Sequence, residues 1–244
     1  MTVRWDRNKG RPEPIRALNR VREVECGEPL VDLRSAAPSV TIARPQTIPW
    51  CRATVAEMAE RAARSLPPGV RLAVTDAWRP IDRQRRIYEW LTQCALEVWP
   101  DLTHSALRRK INRWVAPVDQ KAPPGHCTGA ALDVILIDDQ NEPIDVFSPY
   151  DRFKAAPTYT LGLDPEARRN RDLLVEAMLA AGFSNCRDEW WHYSFGDAGW
   201  AVRLGFDECR YGLILLPRSE YEEQERIWIE EMKSRPNPFR ASGS

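Results

Sequence analysis

A single carboxylate stands in the middle of an apolar, β-branched run: Asp133, in Ala-Ala-Leu-Asp-Val-Ile-Leu-Ile over residues 130–137. An ionised group between Leu132 and Val134 is expensive to bury unless a counter-charge, hydrogen-bond donors or a metal ion meets it. Any fold built around this strand must therefore deliver such a partner to that point. Seven residues earlier lies His126, one of only three histidines in the chain (His104, His126, His192). It follows a Pro-Pro-Gly loop, and Gly129, Ala130 and Ala131 allow a tight turn that lets imidazole and carboxylate converge. One nitrogen and one oxygen ligand suit zinc. The same spacing also fits a buried His–Asp hydrogen bond or an Asp–Arg pair, because His-x6-Asp is not a specific pattern.

A second unusual stretch, Asp188-Glu-Trp-Trp-His-Tyr193, holds another of the three histidines. With His192 as third ligand, three protein ligands and one open position result, which is the arrangement of a catalytic zinc site. A carboxylate close by that does not bind the metal can act as general base, and Glu189 fits that role. Residues three apart on a regular strand point to opposite faces, so the segment must twist, bulge or begin at Glu189 for both groups to meet. The alternative is an aromatic cluster with a surface glutamate. Arg79, in Thr-Asp-Ala-Trp-Arg-Pro (75–80), ends an expected strand between Trp78 and Pro80. A guanidinium fixed there can stabilise a developing oxyanion; it can equally pair with a carboxylate of the protein. Cys127 adjoins His126, but neighbours on a strand point apart, so it is not expected to bind the metal. His104 lies on a charged helix and is expected at the surface.

The rest of the chain reads as one α+β domain over residues 1–244, a central antiparallel sheet carrying the metal site with helices flanking it. Helical spacing of Val55, Met58, Ala59 and Ala62 predicts a helix over 51–66. Further helices are expected at 81–98, 103–114, 166–181 (with Gly182 as its C-cap) and 218–233. Strands are expected in 70–80, the end of 126–138 and 183–195. Residues 1–45 read as a wrapping segment with short strands in VREV and PLVDLRS, and 234–244 as a disordered tail. Lys plus Arg and Asp plus Glu are both 35, so nothing suggests attraction to nucleic acid or an anionic membrane. No apolar run of about 18 residues predicts a membrane span. The opening MTVRWDRNKGRPEP lacks the apolar centre of a secretory signal, and the six cysteines form no CxxC pair, so a cytoplasmic protein with free thiols is expected. Ten tryptophans are many for this length and are expected in the core or around a pocket.

Three motifs in order, DAWRP (76–80), H-x-x-G-x-A-x-D (126–133) and EWWH (189–192), resemble the zinc D-alanyl-D-alanine dipeptidases, part of a wider group of peptidoglycan-related D,D-peptidases. The likeness extends over most of the chain, from about residue 45 to 215. It implies one zinc ion per chain on His126, Asp133 and His192, Glu189 as catalytic base and Arg79 as transition-state stabiliser. It also implies that Asp151, in Ser-Pro-Tyr-Asp, binds the substrate ammonium. The expected substrate is a small dipeptide, with no protein partner implied. Relatives often carry a serine two residues before the first ligand histidine; here that position is Pro124, so a hydroxyl contact is missing and the preferred dipeptide is left open. Two other readings share the ligand set. One is a D,D-carboxypeptidase or endopeptidase acting on peptidoglycan fragments. The other is a non-catalytic, zinc-stabilised binding domain like the Hedgehog signalling domain; Glu189 and Arg79 favour catalysis, since a structural zinc needs neither.

Overall fold

The computed structural model describes residues 4–5 and 10–240. The apolar run around Asp133 forms the middle strand of a five-stranded sheet. Its strands are β1 (Thr41–Ile42), β2 (Arg71–Asp76), β3 (Ala131–Ile137), β4 (Ser184–Asn185) and β5 (His192–Ser194), in the spatial order β1-β2-β3-β5-β4. All neighbours are antiparallel except β1 and β2, which run parallel, so the expected antiparallel sheet carries one parallel edge.

Side chains alternate across β3 with the period of two that any strand imposes. Leu132, Val134 and Leu136 are fully buried in the main core. That face is covered by α1 (Ala53–Ser65) and α4 (Pro165–Ala180). Val55, Met58, Ala59 and Ala62 on α1, and Leu174 and Met178 on α4, belong to the same cluster. Asp133 therefore points from the opposite face, away from the apolar core.

A second apolar cluster joins α2 (Ile81–Val98) to α3 (His104–Ile111) through Leu91, Ala95, Leu107 and Ile111. Helix α4 starts on Pro165, whose missing N–H is no loss in a first turn, and Gly182 follows its end at φ +103°. Further helices are α5 (Ala198–Leu204), which hydrophobic spacing did not signal, and α6 (Glu222–Ser234), beside two single-turn helices at Ile15–Leu18 and Leu33–Ala36. Among the described residues no helix is long and apolar enough to cross a membrane.

The N-terminal segment contributes strands to several sheets. Arg22–Glu23 pairs with Glu208–Cys209, Leu30–Asp32 pairs with Trp50–Arg52, and β1 joins the central sheet. The C-terminal tail differs from expectation: it is docked as far as Arg240. Asn237 Nδ2 donates to the Cys94 carbonyl at 2.8 Å, and the Phe239 ring lies 5.2 Å from Trp114 and 5.3 Å from Trp99. The apolar Phe239 gives the tail something to bury, which its polar, proline-rich composition concealed. Residues 241–244 lie outside the described residues.

Helix α6 is held by a buried ion pair. Glu225, 1% exposed, accepts from Arg83 Nε at 2.8 Å, and Arg83 is itself 3% exposed. Arg86 donates to the same carboxylate. Burial pulls the Arg83 guanidinium below the usual arginine range, against the pull of Glu225. Removing the acid leaves a buried cation without its counter-charge, which typically costs about 3–5 kcal/mol. Glu225→Ala is expected to lower the urea-unfolding midpoint accordingly, and an unchanged midpoint would contradict this account.

Candidate metal centre

His192 and Asp133 are direct cross-strand partners on β5 and β3, so their side chains share a face by register alone. His192 Nδ1 lies 3.0 Å from Asp133 Oδ1. His126 comes from a single 3-10 turn, Gly125–Thr128, immediately before β3. Gly129 ends that turn at φ +71°, where a Cβ would meet Leu30 Cδ2 at 2.4 Å. Only glycine combines that backbone with that closeness. The turn brings His126 Nε2 to 3.3 Å from the same Asp133 oxygen. Its other nitrogen, Nδ1, donates to the Ala77 carbonyl at 2.8 Å, which fixes the ring and turns Nε2 towards Asp133. The two imidazoles stand 4.9 Å apart at 70°.

All three ligand atoms lie within 4.8 Å of one another. Ligands about 2.0–2.1 Å from a tetrahedral zinc lie roughly 3.3 Å apart. The Asp133 oxygen meets that spacing closely with both nitrogens. Two imidazoles and one carboxylate, without a thiolate, form a donor set that zinc accepts.

Glu189 does not lie on the strand with His192. The His192 N–H donates to the Glu189 carbonyl at 3.1 Å, so Trp190 and Trp191 form a turn between them. That turn removes the opposite-face problem of a regular strand. Both indoles are buried and pack edge to face at 5.4 Å, which holds the turn rigid. Glu189 lines the same cleft as His126, Asp133, His192 and Arg79.

Burial acts differently on the two carboxylates. It pushes the Glu189 carboxyl up to about 7, and the charge of Asp133 adds to the rise against the pull of the imidazoles. Burial would raise Asp133 too, but His126 and then His192 more than offset it and hold that carboxyl well below the usual range. His192 is raised in turn: burial opposes its charge, and the hydrogen bond to Asp133 overcomes that.

Arg79 takes the second of its two sequence readings. It pairs with a protein carboxylate, Nε lying 3.0 Å from Asp76 Oδ2 with Nη2 on the same oxygen, and Nη1 donates to Gln84 Oε1 at 2.5 Å. A β-bulge between Val74 and Asp76 turns that carboxylate towards the guanidinium. The Arg79 N–H also donates to the His126 carbonyl at 3.1 Å, tying it to the ligand turn. Burial works against the guanidinium, yet Asp76 and then Asp133 raise it above its ordinary range. It stays charged on the cleft wall.

Asp151 is not brought to this site. Its Oδ1 accepts from the Phe153 and Lys154 N–H groups at 3.0 and 2.9 Å, and Oδ2 pairs with Lys154 Nζ at 3.0 Å. The carboxylate is spent on closing its own local turn, as short acidic side chains often are, and it is exposed to solvent. Its neighbours Arg152 and Phe153 line the cleft instead. His104 is exposed. Cys127 is buried and lies outside the converging group.

Sequence reasoning also missed Asp197. Its Oδ1 accepts from Ser194 Oγ and from the Trp200 N–H, both at 2.7 Å, at the start of α5. Its Oδ2 sits where a Cβ at Gly125 would come within 2.3 Å. Gly125 beside His126 and the Gly196-Asp197 pair were the available signals, but nothing in the sequence joined them.

Two imidazoles and a carboxylate converging on a cleft, with a further carboxylate and a guanidinium on its wall, define the class of a candidate single-metal hydrolase. The family profile described as D-ala-D-ala dipeptidase matches residues 47–208. A D-alanyl-D-alanine dipeptidase of Synechocystis sp. is 30% identical over 166 residues, covering 59% of this chain and 67% of that protein. One from Escherichia coli is 27% identical over 131 residues, covering 53% of this chain and 58% of that protein. The chain belongs to the D-ala-D-ala dipeptidase family, and by that membership is a peptidase.

Burial pushes the Cys127 thiol up to about 12, with Asp76 adding to the rise and Arg79 opposing it. Only the thiolate is nucleophilic. Iodoacetamide at neutral pH is expected to label exposed Cys26 first and leave Cys127 unmodified in the folded protein. Peptide mapping that found Cys127 alkylated as fast as Cys26 would contradict the burial.

Proposed function

We propose that this chain hydrolyses a small dipeptide, foremost D-alanyl-D-alanine, with one zinc ion held by His126, Asp133 and His192. The observation that carries the reading is the Asp133 carboxylate shared by two imidazoles at 3.0 and 3.3 Å, with Glu189 and Arg79 on the same cleft wall. When bound, the ion would supply Lewis acidity to a carbonyl and to a water molecule.

The protein's own groups account for the rest. Glu189, with its carboxyl raised to about 7, can take a proton and return it near neutral pH, as a general base must. The oxygen of water joins the amide carbon, the carbon–nitrogen bond breaks, and Glu189 passes the proton to the departing amine. Arg79, locked by Asp76 and Gln84, presents a fixed positive charge where the carbonyl oxygen becomes negative. Preorganised charge of this kind stabilises the transition state without reorganising during the reaction.

A second reading has one specific observation behind it. The cleft measures about 1200 Å³, more than the roughly 300–1,000 Å³ typical of small-ligand pockets. A longer peptide derived from peptidoglycan fits such a volume better than a free dipeptide.

Glu189→Ala is expected to keep one metal ion per chain by elemental analysis while losing a factor of about 10²–10⁴ in kcat. Chelation should abolish turnover of the wild type, and added zinc should restore it. Full activity in the Glu189→Ala protein sinks the base assignment; full activity after complete metal removal sinks the zinc. Comparing free D-alanyl-D-alanine with a muropeptide decides between the two substrate readings.

A further inference from the structure

Helix α4 carries a fully buried cation that the proposed reaction does not use. Arg171 is 0% exposed. Its hydrogen bonds go to main-chain carbonyls, and among the described residues it makes no carboxylate ion pair. Nε donates to Val146 O at 2.8 Å, and Nη1 donates to Pro157 O at 2.9 Å with Thr158 O at 3.5 Å. Those carbonyls stand at the two ends of the loop that follows β3. Neighbours on α4 add to the tie: Asn170 Nδ2 donates to Asp145 O at 2.9 Å, and Arg168 donates to Thr160 O.

Taking a cation out of water without a counter-charge is costly. Burial pulls the Arg171 guanidinium down to about 10, which still leaves it charged at neutral pH. A neutral donor would satisfy one carbonyl at less cost. What the guanidinium adds is a rigid planar fork that reaches both ends of the loop at once. A lysine ammonium on its flexible stem has no such fork.

The loop closed in this way, residues 147–156, puts Arg152, Phe153 and Ala156 on the cleft wall. Its far end grips the segment that bears Glu189. The Trp190 N–H donates to Ala156 O at 2.8 Å, the Thr158 N–H to Arg187 O at 3.0 Å, and Thr158 Oγ1 to Cys186 O at 2.7 Å. The Arg171 guanidinium also stands 5.2 Å from the ring of Trp190, the residue next to Glu189. His192 takes its place from the β3–β5 register and needs none of these bonds. Glu189 lies on no strand, so its place depends on what holds the 186–190 segment.

We propose that Arg171 is a positioning residue for the general base: by tying both ends of the 147–156 loop to α4, it holds the 186–190 segment and so fixes where the Glu189 carboxylate stands against the imidazoles. This rests on the peptidase reading above and deepens its account of the site.

Arg171→Lys and Arg171→Gln in the full-length, zinc-loaded protein test it. Lysine keeps the charge and loses the fork, so it is not expected to rescue. Hydrogen exchange is expected to quicken at least about tenfold at the Trp190 and Thr158 amides and to stay unchanged in the middle of β3, an opening confined to one part of the structure. Metal content should remain at one ion per chain. The kcat on D-alanyl-D-alanine should fall by about 10–100-fold, the cost of a misplaced catalytic group. In the Glu189→Ala background the same substitutions should leave the residual rate unchanged, because Arg171 acts through Glu189. Thr158→Val, which removes only the side-chain bond to Cys186, should lower kcat by less, and serves if the Arg171 variants fail to fold. Unchanged exchange at those two amides, full rescue by lysine, an equal loss of rate with and without Glu189, or wild-type kcat in Thr158→Val overturns the proposal. Exchange is read whether or not the chain hydrolyses anything. Quickened exchange in a protein without peptidase activity strikes the peptidase reading and keeps the tie between Arg171 and the turn; an active enzyme with unchanged exchange strikes only this proposal.

Discussion

A carboxylate set into the middle of an apolar strand is the constraint around which this protein is organised. Asp133 cannot be ionised there unless its lost hydration is replaced. The fold replaces it twice: once by register, with His192 opposite on β5, and once by a tight turn that folds His126 back over the start of β3. Both imidazoles meet one oxygen. The sheet's antiparallel order, the glycine after the turn and the Ala77 carbonyl that fixes His126 all serve that one junction.

The period of two in β3 separates stability from chemistry. Leu132, Val134 and Leu136 anchor the sheet to α1 and α4, so β3 cannot slip without exposing them. A slip of one residue would also turn Asp133 into the core. The apolar face therefore fixes the face of the candidate metal centre to within a residue. The same logic extends to β2, where the bulge before Asp76 turns a carboxylate towards Arg79. The geometry of the candidate site is supported by elements buried in the apolar core.

What could be read in the sequence follows from this division. His126, Asp133, His192, Glu189 and Arg79 stood out because few residue types can do such chemistry and because their settings were costly without it. The structure places all five on one cleft. The helices over 53–65, 81–98 and 165–180 were legible because each repeats its apolar face over several turns. Short elements were not. Two-residue β1 and seven-residue α5 carry no period long enough to detect, and they exist because a neighbouring strand or the Asp197 cap completes them. Asp151 misled for a different reason: motif position places a residue in sequence, but whether a short acidic side chain faces a cleft or closes its own turn depends on the N–H groups that follow it.

The contrast between Glu189 and Asp133 shows how one cleft sets two identical functional groups apart. Both carboxyls lose hydration, which by itself raises both. Asp133 sits between two imidazoles, and their combined pull reverses the sign, so it stays an anion, the form a metal ligand would need. Glu189, held by its turn beyond hydrogen-bond contact with those rings, keeps the rise and feels Asp133 as a like charge, so it sits where it can exchange a proton near neutral pH. Paired titrating groups pushed apart by their surroundings mark out acid–base roles. Cross-strand register gives Asp133 its histidine partner, and Glu189 stands on a turn outside that register, so the two carboxyls are set apart by the backbone that carries them.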